Sequence, residues 1–294
     1  LDMLFGDEVT SSSEQTGTSG VCNEVDTIMT AETDILDYAC NHKIPFSATI
    51  ELTDNCNLNC IHCYCEGSGV ILWNYPRLVK LVDELYDMGT MDLEITGGEC
   101  LSHPDIITFL RYANDRGFII TLLTNATLIT PDIADFIASI KPRNVQVSVY
   151  SLDPQIHDGI TTIPGSLACS LYGIELLAER GVTVSIATPI LDVNADHVAS
   201  LNEWANQNGY DISFSYKISP SSNDAKSPEA HSVILREHGT SLPDIFAKTD
   251  FNTKLKKIIT KPARVHVDDK HLCQAGFRNI CIDFRGNIHP CNSI

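Results

Sequence analysis

Four cysteines fall within ten residues in the stretch ELTDNCNLNCIHCYC: Cys56, Cys60, Cys63 and Cys65. Thiols at C-x3-C-x2-C spacing are metal ligands, and two chemistries suit them. A structural zinc takes four ligands, so Cys65 or His62 would have to complete the set, and no second paired motif lies nearby. A cubane 4Fe-4S cluster held by three thiolates keeps one iron without a protein ligand, open to a small molecule. A second constellation, CQAGFRNICIDFRGNIHPC, runs from Cys273 to Cys291. Within it IDFRGNIHPC reads as a hairpin turning at Arg285-Gly286. Ile280 and Ile282 flank Cys281, which turns its side chain to the other strand face, as a third ligand or as a buried thiol. A zinc ribbon is an alternative for the whole tail.

Composition narrows the setting. The chain has 294 residues, 43% of them hydrophobic, enough for one large domain or a large domain with an annex. Eleven clustered cysteines without a secretory signal point to metal or redox chemistry rather than a disulfide framework. No apolar run approaches the roughly 18 to 20 residues of a membrane span, so a cytoplasmic location without a membrane partner is expected. With 20 basic and 38 acidic residues the formal charge is -18, the wrong sign for a nucleic-acid partner.

The elements that must position the cysteines follow from periodicity. Candidate strands lie at 47–53, 91–96, 118–124, 144–150, 182–188 and 212–218, each followed by a stretch of helical period. In PRLVKLVDELYDMG, Leu78, Leu81, Val82, Leu85 and Met88 share one face, and Gly89 can close the C-terminus. PDIITFLRYANDRG, PDIADFIASI and PGSLACSLYGIELLAERG repeat the pattern. Six units in about 170 residues predict parallel strands in an open or partial barrel, since eight take about 250. Residues 1–46 form an N-terminal extension with a mobile, acidic, Ser/Thr/Gly-rich start. Residues 219–294 are a separate region with a helix near 241–260 and the cysteine tail.

Chemistry in such folds collects in the loops after the strands. Those loops carry the cysteine triplet, then Gly97-Gly98-Glu99, Thr124-Asn125-Ala126, Ser148 to Asp153, and Thr188-Pro189. CNLNCIHCY followed by TGGE resembles the radical S-adenosylmethionine (radical SAM) superfamily over residues 47–218. The resemblance implies an α/β fold, a partial (β/α)6 TIM-like barrel with a small cysteine-bearing α+β extension. It implies a 4Fe-4S cluster on Cys56, Cys60 and Cys63, whose open iron is chelated by S-adenosylmethionine. Gly97 and Gly98 would let backbone approach the methionyl part, and Glu99 would accept from its ammonium group. His62 takes the family's adenine position, or is simple loop packing, and Tyr64 flanks the cluster. Asn125, Ser148 and Tyr150 stand where ribose or carboxylate contacts often lie.

The tail resembles the opening half of the SPASM or twitch regions of peptide-maturing radical enzymes, implying an auxiliary iron-sulfur cluster on Cys273, Cys291 and, as one alternative, Cys281. The other cysteines of a full SPASM motif do not occur before Ile294. Cys100 replaces the proline usual after GGE; it either donates a hydrogen atom to a substrate radical or fills space, and Cys65 raises the same question. Cys22, Cys40 and Cys169 are expected to be buried or incidental thiols. His103, His157 and His197 are expected as surface residues without a role. Residues 1–46 are too few for a complete leader-binding domain. The expected function is hydrogen abstraction from a ribosomally made peptide by a 5'-deoxyadenosyl radical, giving a cross-link or an epimer. Flavodoxin or ferredoxin would be the reductant. Rivals are a tetrapyrrole- or haem-modifying or sulfatase-maturing enzyme, and a non-catalytic iron-sulfur electron carrier.

Overall fold

Alternation in the sequence becomes a two-faced sheet. Six parallel strands, β1 (Ser47–Glu51), β2 (Asp92–Thr96), β3 (Ile119–Thr124), β4 (Asn144–Ser148), β5 (Val184–Pro189) and β6 (Asp211–Ser215), neighbour one another in chain order. The computed structural model describes residues 38–39, 42–65, 72–216, 218–219, 227–232 and 278–291. The expectations at Cys22, Cys40, Cys273, the N-terminal acidic segment and the 241–260 helix lie outside the described residues.

Successive side chains of a strand face opposite ways. Ala48 and Ile50, Leu93 and Ile95, Ile120 and Leu122, Val145 and Val147, and Val184 and Ile186 are buried in the main core on one face. The helices pack there. The other face is polar: Thr49, Glu94, Thr121, Gln146 and Ser185 occupy alternate positions. Near the strand starts it lines a cavity of about 340 Å³, bounded by Ser47, Thr49, Asp92, Glu94, Thr121 and Arg143.

Between the strands run α1 (Tyr75–Asp87), α2 (Ile106–Asp115), α3 (Pro131–Ile140), α4 (Pro154–Thr161), α5 (Ser166–Glu179) and α6 (Val198–Gln207). Asn74 caps α1 by accepting from Arg77 N at 3.1 Å, and the chain leaves that helix at Gly89. Leu78, Val82 and Leu85 face the core as expected, but Met88 is 46% exposed because the helix ends before it. Helix α4 is an addition to the sequence reading.

Cys281 sits in the hairpin that the sequence suggested. Strands β7 (Asn279–Ile282) and β8 (Ile288–His289) pair antiparallel, with Gly286 at φ +90° in the turn. Strand β7 also pairs in parallel with β1, Ser47 opposite Asn279 through Ile50 opposite Ile282. The hairpin is therefore part of the barrel sheet, where periodicity alone suggested a separate region.

One connection explains how α5 starts without a side-chain cap of its own. The Asp158 carboxylate, on α4, accepts from Gly165 N (2.6 Å), Ser166 Oγ (2.9 Å) and Leu167 N (3.0 Å). Burial pulls this carboxyl upward, but those hydrogen bonds outweigh it and hold it below its ordinary 3.8. Asp158→Ala is expected to cost about 1 kcal/mol, a typical cap value at a half-buried site. Urea unfolding should show the full difference above pH 3.8 and a vanishing one as pH falls through the lowered folded value.

Candidate functional site

The cysteine loop leaves β1 and is held on two sides. At its root Gly98 N donates to Thr53 O (2.6 Å) and Glu99 N to Asn55 O (2.8 Å). Across the loop, Asn59 N reaches Thr161 O (3.1 Å), Ile61 N reaches Ile160 O (2.9 Å), and Thr162 Oγ1 donates to Asn59 O (3.0 Å). The C-terminal end of α4 thus forms one wall of the loop. The Asp153-Pro154 pair that starts α4 is a readable helix signal, with Asp153 accepting from Gln155 N at 2.8 Å.

The glycines are required by the packing of the chain on itself. A Cβ on Gly97, at φ +149°, would lie 2.5 Å from Thr53 O, and one on Gly98 would lie 2.4 Å from Asn55 O. Their close approach in this structure is to the backbone at the root of the cysteine loop. Glu99 is likewise turned inward and 1% exposed. Its Oε1 accepts from Thr124 Oγ1 (2.7 Å) and Leu101 N (3.0 Å), and its Oε2 from Asn125 N (2.7 Å). Burial pushes its pKa up against these hydrogen bonds. In this arrangement Glu99 ties the loop after β2 to the loop after β3.

Asn125 and Tyr150 also face the cysteines. Asn125 Nδ2 lies 3.8 Å from Cys56 Sγ and 3.0 Å from Asn57 Oδ1. Tyr150 Oη lies 3.8 Å from Cys60 Sγ, and Leu58 N donates to Cys56 Sγ at 3.4 Å. Ser148 hydrogen-bonds Tyr150. Tyr150 is braced by Asn194, a residue missed in the sequence, whose Nδ2 donates to Tyr150 O at 3.0 Å. Burial pushes the Cys56 thiol up and the Cys60 thiol up to about 12, and nearby Cys63 adds to both. A hydrogen bond with Cys63, then burial, raises Cys65. Burial works against ionisation of Cys56 and Cys60, so thiolates there need a cationic partner. His62 packs edge-on against Tyr150, ring centroids 5.0 Å apart, and burial holds it neutral, down to about 4. Its buried Nδ1 has no hydrogen-bond partner among the described residues.

The remaining candidates separate. Cys100 is fully buried and its Sγ donates to Leu123 O at 3.3 Å. Cys169 is exposed on α5. His103 and His157 are buried, contrary to the surface expectation. His103 Nδ1 accepts from Asp105 N (3.1 Å) and its Nε2 lies 2.9 Å from Trp73 O; His157 Nδ1 accepts from Tyr150 N (3.3 Å). His197 Nδ1 meets Ser151 Oγ at 3.1 Å. Tyr64 Oη donates to Glu51 Oε1 at 3.1 Å. Cys281, in register with Thr49, faces the polar side of the sheet, while Ile280 and Ile282 pack on the core. Burial raises its thiol to about 12, and Cys291 borders the cavity.

A family model described as the radical SAM superfamily matches residues 50–205, more than half of the chain. The chain belongs to the radical SAM superfamily. It is 34% identical over 154 residues to the antilisterial bacteriocin subtilosin biosynthesis protein AlbA of Bacillus subtilis, covering 51% of this chain and 34% of AlbA. It is 30% identical over 162 residues to the AdoMet-dependent heme synthase of Methanosarcina barkeri, covering 54% of this chain and 46% of that enzyme. This radical SAM chain therefore spans less than half the length of either curated relative. Streptococcus suis SuiB, solved bound to S-adenosylmethionine, superposes with a TM-score of 0.68 at 17% identity over 92% of this chain and 66% of SuiB. That likeness of fold agrees with the partial barrel.

The residues fit the radical SAM cofactors. No three metal-binding side chains among the described residues converge as a single ion demands. A cluster spreads its ligands over three irons and needs no such convergence. The orphaned His62 nitrogen supplies a polar atom for a ligand beside the triplet.

Proposed function

We propose that this radical SAM enzyme modifies a peptide, a ribosomally made precursor. The observation that carries the chemistry is the triplet Cys56, Cys60 and Cys63, gathered in one braced loop where buried Cys56 and Cys60 need a cationic partner to ionise. Bound there, a 4Fe-4S cluster supplies the electron that cleaves S-adenosylmethionine to the 5'-deoxyadenosyl radical, which takes hydrogen from an unactivated carbon. The protein's part is to hold three thiolates, to pack the His62–Tyr150–His157 rings beside them, and to offer the polar inner face of the sheet to the substrate. Similarity to AlbA supports a peptide, as does likeness in fold to SuiB, which was solved bound to its precursor peptide SuiA. We assign electron delivery to a flavodoxin or ferredoxin, an auxiliary cluster to Cys281, Cys291 and Cys273, and the cytoplasm as the compartment. Among the described residues no single helix is long and apolar enough to cross a membrane.

Anaerobic reconstitution with iron and sulfide, followed by S-adenosylmethionine and dithionite, is expected to yield 5'-deoxyadenosine. A peptide encoded beside the gene should lose two hydrogens for a cross-link, or keep its mass and gain deuterium from D2O for an epimer. Absence of 5'-deoxyadenosine would leave an electron carrier. Similarity to the heme synthase supports a second reading, a tetrapyrrole substrate. It would appear as porphyrin turnover with every candidate peptide unchanged.

A further inference from the structure

We infer that Asn125 and Tyr150 are positioning residues that set the reduction potential of the cluster on Cys56, Cys60 and Cys63, by donating hydrogen bonds to the Cys56 and Cys60 sulfurs. This rests on the reading of those cysteines as cluster ligands. Both donors come from the ends of sheet strands and are nearly buried, Asn125 at 8% and Tyr150 at 5% exposure. The amide of Asn125 has only one orientation that satisfies its surroundings. Its Oδ1 accepts from Thr127 N (2.9 Å) and Thr127 Oγ1 (2.6 Å), which leaves the two Nδ2 hydrogens for Asn57 Oδ1, 3.0 Å away, and Cys56 Sγ, 3.8 Å away. Tyr150 is wedged between His62 and His157, at 5.0 and 5.1 Å between ring centroids, and its backbone is pinned by His157 and Asn194.

In the free chain either the Cys60 thiol or the Tyr150 hydroxyl can donate across their 3.8 Å separation. An iron-bound thiolate has no proton, so the phenol becomes the donor. Hydrogen bonds to cluster sulfurs favour the reduced, more negative state and raise its potential. Neither side chain is then free for the ribose or carboxylate contacts expected of it, and the site gains a control on how readily it accepts an electron.

The test is a potentiometric titration of the reconstituted full chain, followed by the electron paramagnetic resonance of the reduced cluster, without S-adenosylmethionine. Tyr150→Phe keeps the ring and removes the donor. Its reduction equilibrium should fall roughly three- to tenfold relative to the parent, a tenfold change being about 59 mV for one electron. Asn125→Ala should move the midpoint in the same direction. Incorporating 3-fluorotyrosine at position 150, a stronger donor of nearly the same shape, should move it the opposite way. An unshifted or more positive midpoint in an iron-loaded Tyr150→Phe protein overturns the inference. If that variant does not load, the fluorotyrosine protein decides: an unchanged or more negative midpoint also overturns it. A parent chain that takes up no iron refutes the underlying ligand reading instead, so the two failures are distinguishable.

Discussion

Cys60→Ala is expected to abolish cluster assembly while leaving the fold intact. The Cys60 sulfur is half-buried in a loop outside the main core, so its removal opens no large cavity there. It is, however, one of the three cysteines assigned to the cluster. Loss of an outer partner of a metal ligand typically costs about 10–100-fold, and loss of a ligand itself should exceed that. Iron should fall by the share held at this site and 5'-deoxyadenosine formation should collapse, with thermal unfolding close to the parent. Cys100→Ala provides the contrast. That thiol is fully buried, so the variant should lose about 1–2 kcal/mol of stability yet retain its iron. Full iron content in Cys60→Ala would refute the ligand assignment.

Gly98→Ala should be strongly destabilising. The added Cβ would meet Asn55 O at 2.4 Å, Asn55 C at 2.7 Å and Asp54 O at 2.7 Å, all of them backbone atoms that cannot rotate away. Overpacking of this kind costs about 1–3 kcal/mol, and a collision with backbone belongs at the upper end. For a chain of this size that lowers the melting temperature by roughly 5–10 °C. It also displaces the root of the cysteine loop, so iron loading should drop with stability. Gly159→Ala is the control: it lies in α4 with no atom within 4 Å of its built Cβ. That substitution should be neutral or slightly stabilising. Scanning calorimetry and iron analysis of the two variants together check the argument, and a Gly98→Ala protein that melts with the parent would defeat it.

Much of this molecule was legible because local rules and global fold agree. Strands β2 to β5 start and stop within two residues of their apolar alternation, and Asn74, Pro131 and Gly89 punctuate helices as their chemistry requires. The cysteine triplet and the glycine pair could be recognised from types and spacing alone. Their division of labour could not. Gly98 reads as ligand-facing in a motif, but only coordinates reveal that Asn55 O occupies the space of its missing Cβ. His103 and His157 look like surface residues in isolation, and they become core residues because backbone groups satisfy their nitrogens. The β7–β1 pairing was invisible for a different reason. Periodicity describes each strand by itself and carries no information about a partner more than two hundred residues away.

That pairing has a bearing on how the protein comes into being. Ser47 and Asn279 meet across 232 positions of sequence. During synthesis β1 therefore emerges long before its second neighbour does. Distant pairings of this sort form late, since a long segment of chain must first lose its freedom. The bed beneath the cysteine loop is completed only when residues near 280 leave the ribosome, and iron delivered earlier would meet an unfinished cradle. Maturation of this protein is thus expected to follow translation rather than accompany it.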